Sequence, residues 1–217
     1  TYRRWRKAGA SRYLLRIESS NPDIYKLIHP EECDFQARLQ AIEDLRAEDY
    51  QVGTGVMIGL PTQTAEDLVN DILFFKEHDI DMIGMGPYIV HHDTPMAAMM
   101  KDYDPAHQLE LGLKMIALTR LYLKDVNIAS TTALQTLDSL GRERGILAGA
   151  NICMPVVYES VNRKNYLLYD NKPALTETSE ENMKAFEKSI HRIGENIGYG
   201  VMGNSPHYKK RKEANNG

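Results

Sequence analysis

Arg12-Tyr13-Leu14-Leu15-Arg16-Ile17-Glu18-Ser19 is the stretch on which the reading of this chain turns. It has the length and composition of a strand, and alternate side chains of a strand share a face. Arg12, Arg16 and Glu18 therefore lie on one side. Two guanidiniums and a carboxylate facing a barrel interior are costly unless they pair with each other or with a ligand. Both readings stand on the residues alone: an internal salt bridge, or a site for an anion or carboxylate, which arginine grips with two parallel donors.

Downstream the pattern of strand, loop and amphipathic helix repeats. A helix over 35–48 places Leu39, Ile42 and Leu45 on one stripe, and a strand over 52–60 stops at Pro61. Thr64 caps a helix over 65–78 striped by Leu68, Ile72 and Phe75. Strands over 82–90, 127–134 and 151–157 alternate with helices over 108–123 and 137–148, and a last helix spans 180–196. Upstream, Trp5 and Ala8 followed by Gly9 read as the end of a helix. Alternation of this kind implies crossover units on a parallel sheet, an α/β fold. Five periods make a little over half of a TIM-type (β/α) barrel, so the expectation is a partial barrel over 1–200 followed by a basic, flexible tail over 201–217. A doubly wound open sheet is the rival, but no G-x-G-x-x-G follows a strand. Gly53-Thr54-Gly55 sits inside a strand and suggests close packing.

Across 217 residues, 26 Lys and Arg against 30 Asp and Glu leave a net charge of −4, which argues against a nucleic-acid footprint. The one basic run, Lys209-Lys210-Arg211-Lys212, reads as a solvated end. Two isolated cysteines, Cys33 and Cys153, fit neither a disulfide framework nor a zinc site, and suggest a reducing, cytoplasmic setting. No apolar run is long enough for a bilayer, and no signal peptide is expected.

Other candidates are weaker singly. Thr131 and Thr132 end a strand and point to opposite faces, so at most one need line a cavity. Met57 and Met154 read as core filler, and a lone buried Cys153 as inert. His91-His92-Asp93 reads as a loop ahead of a metal site. Tyr166 and Tyr169 fall where a segment could close over a barrel mouth.

In order, however, these pieces resemble one family. Tyr13 to Pro22 (YLLRIESSNP) and Gly59 to Thr64 (GLPTQT) resemble the barrel of radical S-adenosylmethionine (SAM) enzymes. More narrowly, Phe75 to Asp79, Gly84 to Ile89, His92 to Pro95, Met115 to Arg120, Ile128 to Ala133 and Gly149 to Pro155 resemble the HydE family of FeFe-hydrogenase maturases. The resemblance implies strands 4 to 8 of an eight-fold barrel. It also implies a 4Fe-4S cluster held by a C-x-x-x-C-x-x-C loop expected upstream, so that this stretch alone is inactive and supplies no metal ligand. SAM would be held by Glu18, Arg38, Met57, Pro87, Ile89 and Tyr166. Arg12, Arg16, Thr131, Thr132, Met154 and Tyr169 would form a pocket for an anionic, thiol-bearing, iron-bound small molecule. The implied reaction makes a 5′-deoxyadenosyl radical for assembly of the dithiomethylamine bridge of the hydrogenase cluster, alongside other hydrogenase maturation proteins. Asn171 to Glu187 carries no cysteine, so no accessory cluster is expected, and the last 40 or so residues match the family weakly. Methylornithine synthase, a biotin-synthase-like enzyme, and an inactive fragment or scaffold with its first strand as an exposed edge are the alternatives.

Overall fold

The computed structural model describes residues 1–155 and 179–215. The strands are β1 (Arg12–Leu14), β2 (Gln51–Thr54), β3 (Met57–Ile58), β4 (Met82–Ile83), β5 (Gly86–Pro87), β6 (Asn127–Ser130) and β7 (Ile152–Cys153). Five of them form one sheet in the order β1-β2-β4-β6-β7, every pair parallel, with Arg12 opposite Gln51, Gly53 opposite Met82, Met82 opposite Asn127 and Ala129 opposite Ile152. The short pair β3-β5 continues β2 and β4 toward their carboxyl ends. Sequential strands as parallel neighbours, with helices between, make the part-barrel that the alternation predicts.

The helices are α1 (Tyr2–Lys7), α2 (Pro22–Ile28), α3 (Phe35–Ala47), α4 (Ala65–Glu77), α5 (Pro105–Leu123), α6 (Thr132–Leu137), α7 (Gly141–Leu147), α8 (Ser179–Arg192) and α9 (Pro206–Asn215). Their starts are written in side chains. Asn21 accepts from the Asp23 and Ile24 amides, and Asp34 from those of Gln36 and Ala37. Thr64 and Asp67 form a capping box. Ile42, Leu45, Leu68, Ile72 and Phe75 of the expected stripes are buried against Ile17, Val52, Val56, Ile83 and Ile128 of the sheet.

Some boundaries differ from the sequence reading. The strand expected over 127–134 ends at Ser130, and Thr132 opens α6, with Thr131 as its extended N-cap. Helix α2 was hidden from the periodicity because it is only 7 residues long. Residues 206–215, expected to be a flexible tail, form α9, whose basic residues find acidic partners under the sheet.

Two glycines set how closely the strands approach. A Cβ on Gly55 would stand 1.9 Å from the Gly84 carbonyl oxygen, and one on Gly53 would stand 2.7 Å from Leu14 Cδ1. Backbone meets backbone at Gly55, so nothing flexible can yield.

At the amino-terminal ends of the strands lies a network of charges. Asp81, fully buried, accepts from the Val52 amide at 2.8 Å, from Arg46 at 2.8 Å and from Arg211 of α9 at 2.8 and 2.7 Å. Lys212 pairs with Asp49 at 2.6 Å, and His207 spans Asp79 at 2.6 Å and Asp125 at 3.2 Å. Asn127 donates to the Gly203 carbonyl at 2.9 Å, and the Ser205 amide to Gln51 at 3.3 Å. Residues 203–215 are thereby fastened beneath the barrel. The hydrogen bond that the His207 imidazolium donates to Asp79 raises its pKa above the ordinary histidine value, with burial opposing.

Gly55→Ala is expected to cost at least roughly 3 kcal/mol or to prevent folding, read by urea unfolding. For His207, a folded-state pKa above the unfolded one means stabilisation that is complete below the unfolded value and lost as pH rises through the folded one. The melting temperature should therefore fall as pH rises above the ordinary histidine value of about 6.5, and His207→Gln should flatten that slope.

Candidate SAM and substrate site

At the carboxyl ends of the strands, where barrel enzymes carry their chemistry, a cavity of about 440 Å³ opens. That volume lies within the range of small-molecule sites. Six of the sequence candidates line it together: Arg16, Glu18, Met57, Pro87, Ile89 and Thr131.

Arg16 and Glu18 follow β1 and form a two-pronged ion pair, Nε to Oε1 at 2.7 Å and Nη2 to Oε2 at 2.8 Å. Nη2 also donates to the Val56 carbonyl at 2.8 Å, and Nη1 to the Gly84 carbonyl. Four of the five guanidinium N–H groups are thus committed within the protein, leaving one for a ligand. Each Glu18 oxygen keeps a lone pair that can accept from a hydroxyl or ammonium group. Of the two readings offered for the strand face, the salt bridge is present, and both of its residues line the cavity.

Glu18 has φ 62, a left-handed backbone that an L side chain adopts at a cost of about 1–3 kcal/mol. Its amide donates to the Gly55 carbonyl at 3.0 Å and its carbonyl accepts from the Met57 amide at 2.9 Å, which fixes this conformation. Thr131 Oγ1 is buried with no hydrogen-bond partner among the described residues. An orphaned hydroxyl at a cavity wall is what a polar ligand atom would satisfy.

The remaining candidates sit elsewhere. Arg38 lies behind β1, donating to the Arg16 carbonyl at 3.0 Å with its guanidinium 5.8 Å from the centre of the Tyr25 ring. Arg12, at the opposite end of β1, donates to Asn204 Oδ1 at 2.9 Å and to the Met202 carbonyl, so the chain's own segment takes the guanidinium expected to meet an anion. Thr132 is turned into α6, where its carbonyl accepts from Thr136. Met154 is largely exposed beyond β7. Tyr166 and Tyr169 lie outside the described residues.

Residues that the sequence reading did not assign to a pocket also line the cavity: Gly86, Tyr88, Thr94 and Ala133, with His91, which it read as part of a loop. The alternation of β5 could have exposed Gly86, whose Cβ would stand 2.6 Å from Thr131 Oγ1. His91, His92 and Asp93 bring their donor atoms within 4.8 Å of one another, but His92 and Asp93 are exposed and the Asp93 amide donates to His91 Nδ1 at 3.2 Å. This is the hydrogen-bonded turn that the loop reading expects. Gln63 fixes the next loop, accepting from the Gly59 and Leu60 amides at 2.6 and 3.1 Å. Burial raises the Cys153 thiol to about 11, which leaves it protonated and unreactive near neutrality.

The general model of the radical SAM superfamily matches residues 1–75, the segment that contains Arg16, Glu18 and Met57. The chain is also 43% identical over 197 residues to the FeFe-hydrogenase maturase subunit HydE of Thermotoga maritima, covering 91% of this chain and 55% of that protein. The crystal structure of methylornithine synthase (PylB) superposes with a TM-score of 0.71 at 19% identity, over 91% of this chain and 55% of that one, which speaks for the fold alone. The chain thus spans about half the length of these relatives. Among the described residues, no helix is long and apolar enough to cross a membrane.

The unpartnered hydroxyl at the cavity wall can be tested directly. Thr131→Val is expected to leave the ligand-free protein as stable or about 1 kcal/mol more stable, since a buried unsatisfied oxygen is removed. Differential scanning calorimetry would read it.

Proposed function

We propose that this chain is the SAM- and substrate-holding part of a HydE-type radical SAM enzyme. The single observation that carries the reading is the cavity that gathers Arg16, Glu18, Met57, Pro87, Ile89 and Thr131 at the carboxyl ends of a parallel sheet. The residues fit SAM. Glu18 accepts from ammonium or hydroxyl donors, Met57, Pro87 and Ile89 give apolar walls, and Thr131 offers an unspent hydroxyl. Arg38 donates to the Arg16 carbonyl at 3.0 Å and so supports the segment that carries Glu18.

The same residues do not fit an iron–sulfur cluster. Cys33 lies between α2 and α3 and Cys153 in β7, and two separated thiols cannot hold four irons. In this reading the cluster ligands belong to sequence outside these 217 residues. What SAM supplies, when bound beside a reduced 4Fe-4S cluster, is a 5′-deoxyadenosyl radical, here directed to assembly of the dithiomethylamine bridge of the FeFe-hydrogenase cluster. The chain's own part is to orient SAM, hold a small thiol-bearing, iron-bound substrate near Arg16 and Thr131, and exclude water from between them. Relatedness to HydE at 43% identity supports hydrogenase maturation as the setting, with other maturation proteins as partners.

The full-length protein, reconstituted with iron, sulfide and SAM and then reduced, should release 5′-deoxyadenosine. Glu18→Gln should weaken SAM binding about tenfold, the order of one charge-assisted hydrogen bond. Absence of the nucleoside from protein with an intact cluster would overturn the reading.

A further inference from the structure

The turn that leaves Glu18 is held from one side by helix α4, and this hold uses a carboxylate that the site does not otherwise explain. Asp71 is fully buried. Its Oδ1 accepts from the Ser20 amide at 2.7 Å and from Ser20 Oγ at 2.6 Å, while Oδ2 has no hydrogen-bond partner among the described residues. One helical turn earlier, Asp67 accepts from Asn21 Nδ2 at 2.8 Å and also closes the capping box with Thr64. Asn21 in turn caps α2. Two carboxylates spaced i, i+4 on one face of α4 therefore fix Ser20 and Asn21, the residues that follow Glu18 by two and three positions.

A carboxylate kept in an apolar setting is expensive, and burial indeed raises Asp71 to about 6 against the pull of its Ser20 hydrogen bonds. A buried acid with one oxygen idle is poor design for stability alone. Its geometry makes sense as a constraint on the preceding residue, since Glu18 stands in the left-handed region, which relaxes unless its surroundings fix it. Val56 and Gly55 fix Glu18 through the sheet on one side. On the other side Ser19 is buried and accepts from the Asn21 amide at 3.2 Å, and the Ser20–Asp71 clamp sets the direction in which the chain leaves it.

We infer that Asp71 is a positioning residue for Glu18: by clamping Ser20 it holds the Glu18 carboxylate at the angle from which it accepts from the polar part of SAM. The inference rests on the reading of Glu18 as a SAM-binding residue. Asp71 touches no reacting atom, so its removal acts on affinity and leaves turnover of bound SAM alone.

The test uses the full-length reconstituted enzyme, with SAM as the probe and 5′-deoxyadenosine as the product. Asp71→Ala is expected to raise KM for SAM roughly tenfold with kcat within about twofold, the size of effect that loss of a charge-assisted hydrogen bond gives. Asp71→Asn keeps an oxygen for Ser20 and should restore KM to within about threefold, and Ser20→Ala, which removes one of the two donors, should fall between. A purely structural role would lower kcat through loss of active protein with KM unmoved, and that pattern overturns the inference. If Glu18→Gln raises KM while Asp71→Ala and Ser20→Ala do not, the inference falls and the assignment of Glu18 stands. If neither Glu18→Gln nor Asp71→Ala alters KM, both fall together.

Discussion

The guanidinium of Arg16 is the fastening on which the mouth of this barrel depends. It reaches from the end of β1 to Glu18, to the carbonyl beyond β2 at Val56 and to the carbonyl beyond β4 at Gly84. Three neighbouring strands are tied by one planar group whose donors are fixed in direction. The tie is possible because Gly55 and Gly84 let the backbones come together directly beneath it. A charge so fully engaged gives little net field to the cavity. What it gives is shape, a fixed floor from which Glu18 projects.

Mouth and base of the sheet are built by different means. At the mouth, polar groups are few, strained or unsatisfied: Glu18 with a positive φ, Thr131 with an idle hydroxyl, Asp71 with an idle oxygen. At the base, charges are numerous and paired with one another, with Asp81 receiving two arginines and a backbone amide, and the idle groups there, among the described residues, include Arg46 Nε and Gln51 Nε2. This is the division expected of barrels, with function at the carboxyl ends of the strands and stability at the amino ends.

The sheet and most helices were legible because their signals are periodic and local. Leu68, Ile72 and Phe75 fall on one stripe behind a Thr64 cap, and the structure buries that stripe. The six residues that line the cavity together were named from a family resemblance, since strand alternation alone places Arg12 and Arg16 on one face without saying that they lie at opposite ends of the barrel. The part played by the segment after Ile197 was not legible. Lys209 to Lys212 reads as a solvated run because its partners, Asp49, Asp79, Asp81 and Asp125, are more than 80 residues away in sequence and carry no local mark. Asp71 and Ser20 share that difficulty: their contact joins residues 51 apart in sequence and carries no local mark.

The location of α9 also bears on how the chain is made. Ribosomal synthesis delivers β1 to β7 first, and only then residues 203–215, which neutralise Asp81 and engage Asn127 and Gln51. Until those residues emerge, the nascent sheet carries a buried carboxylate short of one arginine and an open underside. Sheets completed by contacts so distant in sequence form slowly and expose their edges meanwhile. The latch that secures the finished barrel is therefore also the reason that its precursor would need shelter, from a chaperone or from the remainder of the barrel, before the latch arrives.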